Sequence, residues 1–362
     1  MANKLQLQAF DDWFETRQEP LVIAGPCSVE SEEQMLTTAR QIADGKVASA
    51  LRGGVWKPRT SPGSFEGIGR PALAWLKKAG EQTNLPVITE VATASQVEDC
   101  LEAGIDMLWI GARTTVNPFY VQELAEALRG VDIPVFVKNP IHPEVKLWLG
   151  ALERFNKVGL NKLAAIHRGF YAYRSEPFRN EPKWELFFEL RRLAPDLQVI
   201  CDPSHIAGKR ALLHEVCQSA LDLGMDGFMI ESHCQPEKAL SDAAQQVTPD
   251  GLTKLIRSLE TRHEFIDDRR VIDKLEDLRA KIDDIDHDII HQLRERIQLA
   301  RQIGLVKDEN EATIFQMKRW FKVLDDRKKY GSSEKLNEEF IHELFQLIHK
   351  YSINEQIDSH RK

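Results

Sequence analysis

The feature that most constrains this chain is an alternation, between residues 21 and 259, of short apolar runs with longer amphipathic stretches. The runs fall at 21–24, 50–51, 87–89, 107–110, 135–137, 163–166, 199–201 and 228–230, while helical periodicity marks stretches such as 32–43, 96–103, 118–128, 184–193 and 211–223. Strand and helix repeated in this way predict a parallel sheet, because a helical crossover returns the chain to start the next strand in the same direction. Eight such units in about 240 residues fit a (β/α)₈ barrel and place this part of the chain in the α/β class. An open doubly wound sheet would usually carry a GxGxxG turn after its first strand. Here the first run leads instead into Gly25-Pro26-Cys27-Ser28.

At 362 residues and 42% hydrophobic content the chain exceeds the size at which one core usually stops growing. Beyond residue 260 the strand pattern ends. Residues 261–274 read as a charged linker, and 275–362 as a separate all-helical domain. Apolar residues recur there at Ile272, Leu275, Leu278, Ile282, Ile285, Ile289, Leu293, Ile297, Ile303 and Val306. Their spacing predicts one helix of about 35 residues, about 50 Å long. Further helices are expected at 314–329 and 333–351. They can cover only part of the apolar stripe, which leaves a homodimer or higher assembly through this domain as the expected arrangement.

The net charge of −8 supplies no general attraction to nucleic acid or to an anionic membrane. No apolar stretch reaches the roughly 18 residues of a membrane span, and the first 20 residues lack a secretory pattern. The five cysteines are scattered, without CxxC spacing, which argues against a disulfide framework or a zinc knuckle. A cytoplasmic protein is expected.

Active sites of such barrels form where strands end, so the residues just past each run matter most. They are Cys27; Arg52 and Lys57; Glu90; Arg113; Lys138; His167 and Arg168; Asp202 and His205; Glu231 and His233. A single Lys or Arg among them is ordinarily a solvated charge. Five cations from five strand ends, Arg52, Lys57, Arg113, Lys138 and Arg168, instead suit a ligand carrying phosphate and carboxylate groups. Cys27, His205, Glu231 and Asp242 mix thiolate, imidazole and carboxylate, a candidate metal set that selects no one metal. Taken alone, Cys27 reads as a small buried hydrophobe and His205 as a structural histidine.

Six ordered strings give the chain a resemblance. They are Gly25-Pro26-Cys27-Ser28; Arg52-Gly53-Gly54-Val55-Trp56-Lys57-Pro58-Arg59-Thr60-Ser61; Gly111-Ala112-Arg113-Thr114; Ile166-His167-Arg168-Gly169; Cys201-Asp202-Pro203-Ser204-His205; and Ala239-Leu240-Ser241-Asp242. Over residues 21–259 the chain resembles type I-beta 3-deoxy-D-arabino-heptulosonate 7-phosphate (DAHP) synthases. The resemblance implies a divalent metal of the manganese, cobalt, iron, zinc or cadmium class on Cys27, His205, Glu231 and Asp242. It implies phosphoenolpyruvate on Arg52, Lys57, Arg113, Lys138 and Arg168, with Asp202 also at the substrate. Erythrose 4-phosphate would meet Arg59, Thr60 and Ser61, and Lys57 and His167 are candidates for proton transfer. The related octulosonate 8-phosphate synthases carry a Lys-Ala-Asn-Arg type string where this chain has Lys57-Pro58-Arg59-Thr60.

Residues 279–356 resemble the all-helical AroQ class of chorismate mutases. The matching residues are Leu278-Arg279-Ala280-Lys281-Ile282 with Asp286, Arg294-Glu295-Arg296, Gly304, Lys307, Arg319, and Leu344-Phe345-Gln346-Leu347-Ile348 with Ser352 and Gln356. The resemblance implies that chorismate is converted to prephenate. Arg279 from a partner subunit and Arg296 would hold carboxylates, and Lys307 and Gln356 would address the ether oxygen. Arg319, Ser352 and Gln316 complete the expected substrate contacts. Gln316 and Trp320 depart from the Asp and Glu common at those positions. Two functions on one chain imply feedback by prephenate or chorismate; the alternative is a synthase whose helical domain only binds ligand and dimerises.

Overall fold

The computed structural model describes residues 5–14, 19–58, 63–173, 176–261 and 267–360. The chain forms two compact units, Met1–Glu264 and Phe265–Lys362. In the first, β1 (Leu21–Gly25), β2 (Ala50–Arg52), β3 (Val87–Val91), β4 (Met107–Ile110), β5 (Val135–Lys138), β6 (Leu163–His167), β7 (Gln198–Cys201) and β8 (Gly227–Glu231) make a closed barrel in sequence order. Every neighbouring pair is parallel, and β8 closes on β1 with Gly25 opposite Glu231. The α/β barrel expected from the alternation is the one observed.

Helices α1 (Glu32–Gly45), α2 (Pro71–Thr83), α3 (Ala94–Glu102), α4 (Ala112–Thr115), α5 (Pro118–Ala127), α6 (Val145–Lys157), α7 (Trp184–Leu193), α8 (Pro203–Ala207), α9 (Leu213–Asp222) and α10 (Pro249–Ser258) follow the strands. Strand alternation divides the apolar residues into two cores. Leu21, Ile23, Ala50, Ile88, Met107, Trp109, Phe136, Ala164, Ile166, Ile200 and Met229 fill the barrel interior. Val22, Leu51, Val87, Leu108, Val135, Leu163, Val199 and Phe228 belong to the outer core, with the helices. Phe10 and Phe14 join the interior cluster, and the Phe10 and Phe136 rings lie 6.0 Å apart. The segment before β1 therefore packs on the interior core.

The second unit is α11 (Arg269–Glu309), α12 (Met317–Ser333) and α13 (Glu338–His360), with α13 packed on both other helices. Residues 269–274, expected in the linker, are instead the first turns of α11. Asp268 caps that end, accepting from the Arg270 N–H at 2.9 Å. Dense charge does not break a helix when the side chains reach solvent, and Arg269 and Arg270 are exposed. At 41 residues α11 is about 60 Å long. Ala300 and Gly304 are buried, whereas Leu278, Ile282, Ile285, Ile289 and Ile290 are each about half exposed or more in the single chain.

Candidate active sites

Period-two geometry decides which strand-end residues reach the barrel mouth. Arg52, Glu90, Lys138, Asp202 and Glu231 continue the interior parity of Ala50, Ile88, Phe136, Ile200 and Met229, and all five point inward. His167 has the opposite parity, that of Leu163 and Ala165. Its ring lies among Trp148, Phe170 and Trp184, with Nε2 donating to the Pro182 carbonyl at 2.6 Å. Burial pushes the imidazole down to about 4, against the pull of that carbonyl, so it is neutral at pH 7. The ring of His167, a candidate for proton transfer, faces these outer-core aromatics and is not among the residues that line the cavity at the barrel mouth.

A cavity of about 310 Å³ opens at the C-terminal ends of the strands. Lys57, Arg113, Lys138, Arg168 and Arg179 supply five cations to its wall; Glu90, Asp242, His205 and Asn180 also line it. Arg52 lies beneath, 1% exposed, with Nη2 3.2 Å from Glu231 Oε1 while Nε and Nη1 lack a hydrogen-bond partner. Burial works against its charge, but Glu231 and Asp202 more than compensate and raise its pKa. Burial, aided by Arg179 and Arg113, brings Arg168 down to about 10 despite Asp202. Such crowding of like charge in a cleft is relieved by an anionic ligand.

Beside the cations lies the sulfur and carboxylate group. Cys27 Sγ, one Glu231 oxygen and one Asp242 oxygen lie within 4.8 Å of one another. His205 Nε2 is 3.9 Å from Glu231 Oε1, a buried oxygen without a hydrogen bond. This donor set fits a divalent cation, which would take the buried carboxylate oxygens, the imidazole and the sulfur as ligands. Burial and then Glu231 push the Cys27 thiol up to about 12. Burial also depresses His205, against the pull of Asp202, which favours the uncharged form that a metal ligand requires.

The local sequence explains the convergence. A Cβ on Gly25 would lie 2.0 Å from the Arg52 carbonyl oxygen, so only glycine lets β1 approach β2 here. Asp242 sits at φ 47°, in the left-handed region that Asp tolerates. Asp202 caps α8 by accepting from the His205 N–H at 3.1 Å, and its other oxygen is 2.8 Å from His205 Nδ1 and 2.7 Å from Lys138 Nζ. Burial would raise this carboxyl, but His205 and Lys138 hold it well below the usual range. Asp202 is fully buried and holds both His205 and Lys138 in place.

Lys57 donates to the Cys27 carbonyl at 2.8 Å. Burial would lower its pKa, but Cys27 and Glu231 keep it raised. Arg59, Thr60 and Ser61 lie outside the described residues. Arg179 and Asn180, which also line the cavity, were not read from the sequence. Arg179 is 3.3 Å from Asp242, and Asn180 accepts from Arg168 Nη1 at 2.9 Å while donating to the His205 carbonyl at 2.6 Å. Both come from the irregular stretch between β6 and α7, where no periodicity marks position.

In the helical unit, Arg296 and Lys307 of α11 face α13. Arg296 Nη1 donates to Ser352 Oγ at 2.5 Å, and Lys307 Nζ to Gln356 Oε1 at 3.1 Å and the Ile314 carbonyl at 2.5 Å. These four side chains are brought together. Arg279 is not, lying 17 residues earlier on α11, about 25 Å along its axis. Gln316 and Arg319 are exposed at the start of α12. Trp320 stacks on His349 at 3.9 Å, an aromatic pair on the α12–α13 side that the sequence did not announce.

Comparison with known proteins agrees with both resemblances. Residues 7–267 match the DAHP synthetase I family and residues 278–357 match chorismate mutase type II. A phospho-2-dehydro-3-deoxyheptonate aldolase of Thermotoga maritima is 31% identical over 239 residues, spanning 66% of this chain and 68% of that protein. A 2-dehydro-3-deoxyphosphooctonate aldolase of Geotalea daltonii is 27% identical, over 67% of this chain and 92% of its own length. The crystal structure of the Thermotoga maritima DAHP synthase superposes with a TM-score of 0.60 at 30% identity, covering 66% of this chain and 67% of that one. Its truncated form gives 0.57 at 27% identity, covering 66% and 84%.

Proposed function

The chain belongs to the DAHP synthetase I family, and from that footing we propose how its two units work. It is a bifunctional shikimate-pathway enzyme, a 3-deoxy-7-phosphoheptulonate synthase joined to a chorismate mutase. The barrel condenses phosphoenolpyruvate with erythrose 4-phosphate. The observation that carries this reading is the Cys27, Glu231 and Asp242 donor group, with His205, beside a five-cation cavity.

Arg52, Lys138, Arg168 and Arg113 bind the phosphate and carboxylate of phosphoenolpyruvate. Its enol carbon forms a bond to the aldehyde carbon; water adds at the neighbouring carbon, and phosphate departs. Cys27, His205, Glu231 and Asp242 would hold a divalent metal, which would supply Lewis acidity toward the aldehyde. Lys57 holds a proton at Nζ near the reacting centre, and the cationic wall stabilises the leaving phosphate.

In the helical unit, fixed cations do the catalysis. Arg296 holds a chorismate carboxylate, while Lys307 and Gln356 stabilise charge growing on the breaking ether oxygen. Arg279 reaches the site of a second subunit, because within one chain it lies too far along α11. Prephenate bound in this unit slows condensation. Coupling of that kind is typically ~1–3 kcal/mol and requires differential binding to two states.

The purified chain should release phosphate only when both phosphorylated substrates are present, and should convert chorismate to prephenate. Added prephenate should slow phosphate release in the full chain but not in a chain cut near residue 260. A protein that binds prephenate and condenses at an unchanged rate would defeat the feedback reading alone.

A further inference from the structure

Trp109 lies in β4 with its side chain inside the barrel, fully buried, and takes no part in the chemistry above. Interior positions of such barrels are ordinarily filled by branched aliphatic residues, which need no hydrogen-bond partner. An indole needs one. Trp109 Nε1 donates to Glu90 Oε2 at 3.0 Å, and Glu90 stands in the cavity wall. On the far side of that carboxylate a Cβ at Gly111 would lie 2.1 Å from Glu90 Oε1, so the group is clamped between indole and backbone.

The ring face is used as well. Arg52 Cζ lies 4.9 Å from the ring centroid and Lys138 Nζ 5.6 Å from it. Each cation is also drawn by an acid, Arg52 by Glu231 at 3.2 Å and Lys138 by Asp202 at 2.7 Å. An aliphatic side chain in the same place would offer no electron-rich face to either cation. Arg52 Nε and Nη1, buried and without hydrogen-bond partners, remain as donors for an oxyanion.

We propose that Trp109 is a positioning residue for the enol acid: one buried indole sets Arg52, Lys138 and Glu90 at the floor of the cavity. This rests on the reading of that cavity as the phosphoenolpyruvate site. Binding of phosphoenolpyruvate to metal-loaded full chain, measured by calorimetry for wild type, Trp109→Phe and Trp109→Leu, tests it. Folding is checked by circular dichroism, with Trp109→Met used should the leucine variant not fold.

The leucine variant should bind phosphoenolpyruvate about tenfold more weakly, and the phenylalanine variant, which keeps a ring face, within about threefold of wild type. The KM for erythrose 4-phosphate should stay within about twofold in both, whereas general loosening of the barrel would move both substrates together. The proposal is overturned if leucine binds as wild type does, if leucine and phenylalanine weaken binding equally, or if both substrates are affected alike. Failure of wild type itself to bind phosphoenolpyruvate overturns the reading of the cavity, and this proposal with it.

Discussion

Cys27 can serve as a metal ligand only after losing a proton that its surroundings hold tightly. Burial and Glu231 keep the thiol up at about 12, so at neutral pH metal uptake must release that proton. The sign follows: below the thiol pKa, rising pH favours binding, by up to about tenfold per unit between about pH 6 and pH 8. Metal titrations across that range should show this slope, and a flat profile would exclude a thiolate ligand. Cys27→Ser should lose most of its metal and reduce condensation on the order of 100-fold, because a hydroxyl replaces a thiolate poorly; chorismate turnover should not change. The sequence placed Cys27, Arg52, Lys138 and Glu231 at strand ends by proximity alone. Proximity alone could not show that the His167 ring turns to the outer core or that Asp202 caps α8, because side-chain parity and capping depend on where a strand stops. Arg179 and Asn180 were invisible, since an irregular loop has no period to read.

Among elements, α11 carries the largest unmet demand. Ile282, Ile285 and Ile289 are each more than half exposed in the single chain, and fully burying an isoleucine is worth ~1.5–3 kcal/mol. A second copy laid along this helix would cover the stripe and bring an Arg279 to the Arg296 and Lys307 cluster. Light scattering should give a mass at least twice 41.4 kDa, and Ile289→Glu should shift the chain toward monomer with loss of mutase turnover. A variant that stays dimeric and fully active would remove α11 from the interface. Arg296→Ala should abolish mutase activity while retaining helix content, because Arg296 is only partly buried and its guanidinium is tied to the Ser352 hydroxyl. The stripe was legible because a 3.6-residue period survives over many turns. The start of α11 was not, since exposed charges are compatible with both linker and helix.

At the scale of the whole molecule, one chain carries two chemistries with different demands. In the proposed function, condensation would draw Lewis acidity from a metal held by Cys27, His205, Glu231 and Asp242, whereas rearrangement of chorismate would need only fixed cations. Every residue proposed for the metal lies in the unit Met1–Glu264, and every residue proposed for chorismate in Phe265–Lys362. The two activities should therefore part when the metal alone is removed. The most direct test assays both on one purified sample before and after treatment with a chelator, followed by return of a divalent metal. Condensation should disappear and then recover, while chorismate turnover stays within about twofold throughout. Equal loss of both activities, or condensation that survives complete metal removal, would contradict this separation of the two activities.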